Sequence, residues 1–264
     1  MMAIHGWVRW LGGTYLAAII GFLYLPILVM MVMAFNRSPL YQVPIVFDTV
    51  WFERLAGNEK LLGAAFNSVV LAVANTIVAT TLGTLTALGF ARYRFRGRTL
   101  LQLLLFPPIT IPWLIIGTSM LIFFFWTGIG RGLHAILLGH VALSLPYVIV
   151  VVGARFANFG PELEEAAASL GATPWQAFWR VTIPVLAPGI TAAALFAFAV
   201  SFDQFVISYF LAPPGTSTLP VEIYTSIRKG FTPEINAISS IIILFSMGLM
   251  LIVARNYKFG GDNQ

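Results

Sequence analysis

The chain has 264 residues, of which 59% are hydrophobic and 9% charged, with a mean hydropathy of +0.88. Soluble domains carry about 25% charged residues, so this chain cannot cover a water-facing surface and the bilayer is its expected solvent. It has no cysteine, which excludes disulfides and thiolate metal sites. The net charge of +5 suits the basic cytoplasmic loops of a membrane protein better than a nucleic-acid partner.

A helix needs about 20 apolar residues to cross the hydrocarbon core, and six segments qualify as candidates. Tyr15–Phe35 contains Pro26; it exceeds the h-region of a signal peptide and no small-x-small cleavage site follows, so it is expected to stay as a first span. Gly63–Ala91 is rich in small residues. Leu100–Trp126 is interrupted by Pro107, Pro108 and Pro112. Leu133–Gly153 carries Pro146, Val185–Leu211 carries Pro188, and Ala237–Ala254 is the shortest. The prolines in spans three to five predict kinks. Two outer loops are long: 36–62, where Trp51 and Phe52 suggest an interfacial helix in an aromatic belt, and 212–236.

Charge sets the expected orientation. With the N-terminus in the cytoplasm, six spans return the C-terminus there, and Arg9, Arg92, Arg94, Arg96, Arg98, Arg155, Arg180, Arg255 and Lys258 fall inside. Arg37, Arg54, Lys60, Arg131, Arg228 and Lys229 fall outside. The bias is modest, but the run Arg92-Tyr-Arg-Phe-Arg-Gly-Arg98 lies in one short loop, where the positive-inside rule is strongest.

That orientation also puts a polar island, 155–183, in the cytoplasm. Pro161 with Glu162, Glu164 and Glu165 reads as a helix start, because proline is preorganised there and acids suit the positive end of the dipole. Ala166–Leu170 continue it, and Gly171 ends it. Thr173-Pro174 starts a second helix as N-cap and N1, with Trp175, Phe178 and Trp179 on one stripe. The plain alternative is an amphipathic loop resting on the membrane.

Glu165-Ala166-Ala167, Gly171 and Val181-Thr182-Ile183-Pro184 keep the spacing of EAA, three residues, G, nine residues, I-x-L-P. The stretch therefore resembles the EAA loop of the membrane subunits of ABC importers, with Val181 and Ile183 in place of Ile and Leu. The resemblance implies that a short helix docks in a groove of an ATPase subunit and moves when the ATPase dimer closes on ATP. It makes Glu162, Glu165, Ala166, Ala167, Gly171 and Pro184 the coupling positions.

Asp203 is the only carboxylate inside a candidate span, and an ionisable group at that depth costs at least about 2.5–3.5 kcal/mol. It is read as lining a pathway together with Gln204, Ser208 and Tyr209, Gln204 and Ser208 lying near one another at i, i+4. The other reading is pairing with a polar group on a partner helix. Ser201-Phe202-Asp203-Gln204, continuing through Leu219-Pro220, Ile223-Tyr224, Gly230, Pro233-Glu234 and Asn236-Ala237, resembles the second membrane subunit of spermidine/putrescine importers. Gln204 stands where that family shows a second acid, which points to a less cationic substrate. Asn67 and Asn75, like Gly83 and Gly89, suit helix–helix contact. His134 and His140 have no acid or cysteine nearby for a metal site and are read as structural or interfacial.

No phosphate-binding G-x-x-x-x-G-K-[ST] loop, G-x-S-x-G or H-E-x-x-H occurs, so no catalytic constellation and no metal site are expected. The resemblance implies an all-α membrane protein of six transmembrane helices, with the type I ABC importer permease fold and both termini cytoplasmic. Residues 1–62 would hold the first span and outer loop, 63–254 the transport domain with its coupling loop at 155–184, and 255–264 a cytoplasmic tail. It implies a permease subunit in a bacterial inner membrane, not an enzyme, that binds no cofactor itself. ATP and magnesium would sit on two separate ATPase subunits. The other partners are a second permease subunit, an extracytoplasmic solute-binding protein and the lipid bilayer, with no nucleic acid. A polyamine is the first substrate choice, with an opine, an aminophosphonate or another small solute open. A secondary transporter, for which a repeat and more intramembrane acids would be expected, and a non-transporting scaffold are the other classes.

Overall fold

The computed structural model describes residues 6–256 apart from Tyr41, Asn158, Pro161 and Phe231. The expected helix-starting Pro161 and most of the tail, including Lys258, thus lie outside the described residues. Twelve α-helices follow one another among those residues: α1 Gly6–Met33, α2 Val50–Ala56, α3 Glu59–Arg92, α4 Arg98–Leu105, α5 Trp113–Trp126, α6 Leu133–Ala157, α7 Glu162–Ser169, α8 Pro174–Ala177, α9 Ile183–Phe202, α10 Val206–Leu211, α11 Leu219–Lys229 and α12 Glu234–Asn256. Helix is what such apolar segments must form, because hydrocarbon offers no partner to a free backbone N–H or C=O. The chain divides into two compact units, 63–224 and 1–62 with 225–264.

In the unit 63–224, α6 runs through the centre. Val148, Ile149, Val152 and Phe156 of α6 pack on Leu186, Ala193 and Ala197 of α9 and on Ala79 and Phe90 of α3. A second apolar cluster joins Leu71, Phe124, Ile136, Leu143, Ile207 and Leu211. Small residues permit the close approach: a Cβ added at Gly83 would lie 2.4 Å from Val148 Cγ1. The same role expected at Gly89 is not found, since a Cβ added there would meet no other part of the chain within 4 Å. Asn75 acts as expected of a polar residue in a span. Its Nδ2 donates to Ser144 Oγ at 3.0 Å and to the Ala197 carbonyl at 2.9 Å, tying α3 to α6 and α9. Asn67 Nδ2 likewise donates to the Ser217 carbonyl at 3.0 Å.

Two expected spans are redrawn. The third is not a kinked rod. A 3₁₀ turn at Pro107–Ile109 separates α4 from α5, and the path bends by 113° between the two arms, because Pro107, Pro108 and Pro112 remove three donors and clash with the preceding turn. The fifth begins earlier and ends earlier: helix is continuous from Pro174 to Phe202 and stops before Asp203, so α10 is a separate helix. Among the described residues four helices are long and apolar enough to cross a membrane, five if the bent pair counts as one, and Glu234–Gly248 is a shorter apolar stretch.

In the other unit, α1 is exposed along most of its length, as a lipid-facing helix is, and α2 packs against α12. The helix expected around Trp51 is present, but Trp51 is buried rather than set in an aromatic belt. Its Nε1 donates to the Asn36 carbonyl at 2.7 Å, and the Arg54 guanidinium lies 4.9 Å from its ring centroid.

Candidate functional site

The polar island folds as a helix–turn–helix. Gly171 has φ +88°, a left-handed conformation that costs a residue with a Cβ about 1–2 kcal/mol. Around it the Ala172 N–H reaches the Ala167 carbonyl at 3.0 Å and the Gly171 N–H the Ala168 carbonyl at 2.9 Å, the two bonds of a Schellman ending. Thr173 then caps α8 reciprocally with Gln176: Thr173 Oγ1 accepts the Gln176 N–H at 3.3 Å, and Gln176 Oε1 accepts the Thr173 N–H at 2.9 Å. Two caps back to back set a sharp turn of four residues, 170–173.

A π-helical turn, Phe178–Thr182, leads into α9. Pro184 follows it; with no N–H to give and a ring that crowds the preceding turn, it favours such a widening. Thr182 is fully buried there. Its hydroxyl donates to Glu164 Oε1, and Arg92 Nη2, at the end of α3, donates to the same carboxylate oxygen and to Thr182 Oγ1 at 3.2 Å. This clasp fastens α7 to the roots of α3 and α9. Glu164 was read from sequence only as a dipole partner and Arg92 only as a topology charge; the signal available was a threonine set between the apolar positions of Val181-Thr182-Ile183.

With Glu164 turned inward, Glu162, Glu165 and Ala166 face outward, Ala167 is half-buried and Pro184 is exposed. Leu163, Leu170, Trp175 and Trp179 are exposed beside them. The Trp175 and Trp179 rings meet edge-on at 5.6 Å. Two acidic groups within an apolar surface are thus presented on the outer face of the loop.

About 30 Å of helix, the 20 residues of α9, separates this loop from Asp203, the thickness of a hydrocarbon core. Asp203 therefore sits at the end of a span in a non-helical turn, φ −90° and ψ 3°, not inside the helix as expected. The four expected pathway residues part company. Asp203 and Tyr209 are exposed, whereas Gln204 and Ser208 are buried. Gln204 Oε1 accepts the Val206 N–H at 3.1 Å and so satisfies a donor at the start of α10. His140 of α6 spans the break: its Nδ1 lies 2.8 Å from Ser201 Oγ on α9 and its Nε2 3.1 Å from Ser208 Oγ on α10. The structure thus makes His140 a structural residue and pairs it with the serine expected in the pathway. Tyr209, Phe205 and Tyr224 form an aromatic group that begins two residues after Asp203 in the chain, with Phe205 and Tyr224 centroids 4.8 Å apart.

A multi-pass helical protein that hangs a two-helix loop from the foot of one span and ends that span in an exposed carboxylate is organised as the membrane component of a transporter. The family described as binding-protein-dependent transport system inner membrane component matches residues 79–259, and the chain belongs to that family. It is 34% identical over 255 residues to the spermidine/putrescine transport system permease protein PotC of Escherichia coli K12, covering 96% of this chain and 97% of the relative. It is 35% identical over 241 residues to the putrescine transport system permease protein PotI of the same strain, covering 88% and 85%. A bacterial ABC transporter involved in the import of the acidic polysaccharide alginate has the same fold, with a TM-score of 0.73 at 15% identity over 98% of this chain and 100% of the other. The chain is thus a membrane-embedded transport subunit of that family and not an enzyme.

Proposed function

We propose that this chain forms half of a polyamine pathway in an ATP-driven importer of the bacterial inner membrane, crossing it six times with both termini in the cytoplasm. The bent pair α4–α5 counts as the third span and α12 as the sixth. The observation that carries the reading is the clasped loop. Arg92, Glu164 and Thr182 hold α7 rigidly to two spans, so a force on its outward face is delivered to α3 and α9 together. Glu162, Glu165 and Ala166 meet the groove of a separate ATPase that holds ATP and magnesium. The small side chains of Ala166 and Ala167 allow close approach, and Gly171 and Pro184 set the angle at which the loop leaves α9.

Asp203 and Tyr209 face the pathway between this chain and a second, related permease subunit. An exposed carboxylate two residues before an aromatic group suits an ammonium group, which is drawn both to negative charge and to a ring quadrupole. Names of relatives that import spermidine and putrescine support the same class. Gln204 and Ser208 support the pathway wall from behind and do not line it. The solute arrives on an extracytoplasmic binding protein that docks on the outer loops.

The test is ATP hydrolysis by the intact complex in lipid, with its binding protein empty or loaded with putrescine or spermidine. Stimulation by the loaded form, lost in Glu165→Arg, is expected. A complex that responds to neither polyamine but to an opine or aminophosphonate overturns the substrate, and full stimulation in Glu165→Arg overturns the coupling role.

A further inference from the structure

The loop after α3 reads Arg92-Tyr93-Arg94-Phe95-Arg96-Gly97-Arg98. Arg92 is engaged with Glu164, but Arg94, Arg96 and Arg98 make no ion pair among the described residues. Arg94 and Arg96 are exposed, and so are the aromatic rings between them, Tyr93 by 66% and Phe95 by 44%. The helix that follows is turned inside out by the standards of water. Leu100, Leu103 and Leu104, one face at i, i+3, i+4, are exposed by 61–67%. Arg98 and Gln102 on the other face are half-buried. They line a cavity of about 270 Å³ with Phe90, Phe106 and Val150, and the Arg98 guanidinium lies 5.8 Å from the Phe90 ring centroid. Water would drive the leucines in and the arginine out. Such an arrangement suits a place where acyl chains meet the leucines and an anion meets the exposed guanidinium groups of Arg94 and Arg96.

We infer that the α3–α4 elbow, residues 93–104, is a binding site for an anionic phospholipid. Arg94, Arg96 and Arg98 hold the headgroup phosphate, Tyr93 and Phe95 sit at headgroup level, and Leu100, Leu103 and Leu104 lie against its acyl chains. Basic groups next to a span attract the anionic lipids of a cytoplasmic leaflet, and an amphipathic segment with aromatic and leucine residues rests at that boundary. Because Arg92 begins the same loop and clasps Glu164, a lipid that steadies the elbow also steadies the root of α7. The inference rests on the cytoplasmic placement of this loop proposed above.

The experiment reconstitutes the intact complex in vesicles of phosphatidylcholine with phosphatidylglycerol, extracts it gently and counts retained phosphatidylglycerol by native mass spectrometry. Arg92 is left untouched. Wild type is expected to retain the anionic lipid, and Arg94→Gln/Arg96→Gln/Arg98→Gln to hold it roughly a hundredfold more weakly, with high salt weakening wild-type retention as well. Arg94→Gln/Arg96→Gln, which alters exposed positions only, is expected to show an intermediate loss with the fold kept. Equal retention by wild type and both variants overturns the inference. So does loss of the ATPase subunits from the triple variant in pure phosphatidylcholine, which would assign the arginines to an acidic protein surface. Since the chain lacks cysteine, Arg96→Cys gives a single label site. Modification by an impermeant maleimide only from the side opposite the ATPase overturns the topology, separately from the lipid count.

Discussion

The two ends of α9 are fastened by opposite chemistry. At its foot the helix–turn–helix loop is held by charge: Arg92, Glu164 and Thr182 form a clasp whose Arg and Glu side chains are 33% and 27% exposed. At its far end the break at Asp203 is held by neutral groups, His140 with Ser201 and Ser208, all buried. Ion pairs tolerate partial water and remain directional. Buried charge is costly to desolvate, so a junction sealed inside the bundle is better built from imidazole and hydroxyl. In both places the fastening residues turn inward and leave carboxylates outside, Glu162 and Glu165 at one end and Asp203 at the other. Held backbone with a free acid is the shared plan.

The largest expected effect breaks the lower fastening. Glu164→Ala frees α7 from α3 and α9, and vesicle uptake is expected to fall about tenfold or more, the usual scale of a lost coupling, while ATP hydrolysis persists. Uptake that keeps pace with hydrolysis would remove the clasp from the mechanism. His140→Leu breaks the upper fastening at about 1–2 kcal/mol per lost hydrogen bond. Thermal unfolding of the purified complex should shift down, and His140→Asn, which can keep one of the two bonds, should recover part of the shift. Gly171→Val places a branched side chain at φ +88° and should cost about 1–2 kcal/mol, read as weaker association with the ATPase in a pull-down. Thr173→Ala removes one cap at about 1 kcal/mol, detectable as faster hydrogen exchange over 173–177. Asp203→Asn should leave stability within about 0.5 kcal/mol, as an exposed substitution does. Its expected mark is a higher KM for polyamine uptake with kcat little changed, and an unchanged KM would take Asp203 off the pathway.

Local chemistry made the lower site largely legible. The glycine at 171, the threonine–proline at 173–174 and the motif spacing through Pro184 are short-range signals, and the Schellman ending, the capping box and the start of α8 appear where Gly171 and Thr173–Pro174 put them. The clasp was not legible, because Arg92 lies 72 residues before Glu164 and nothing local announces the pairing. The upper site was legible only as a set of polar residues. Its helical period assumed an unbroken span from Val185 to Leu211, and the break at 203–205 turned Asp203 and Tyr209 outward and Gln204 and Ser208 inward.

Sequence alone determined the solvent, the all-helical class, the family and the turn chemistry of the 162–182 loop, since hydropathy, proline, glycine and cap residues act within a few positions of themselves. Tertiary structure decided which polar groups are partners and which remain free. Whether a buried hydroxyl or carboxylate is satisfied depends on what another helix places within 3 Å of it, and that is settled only when α3, α6 and α9 pack.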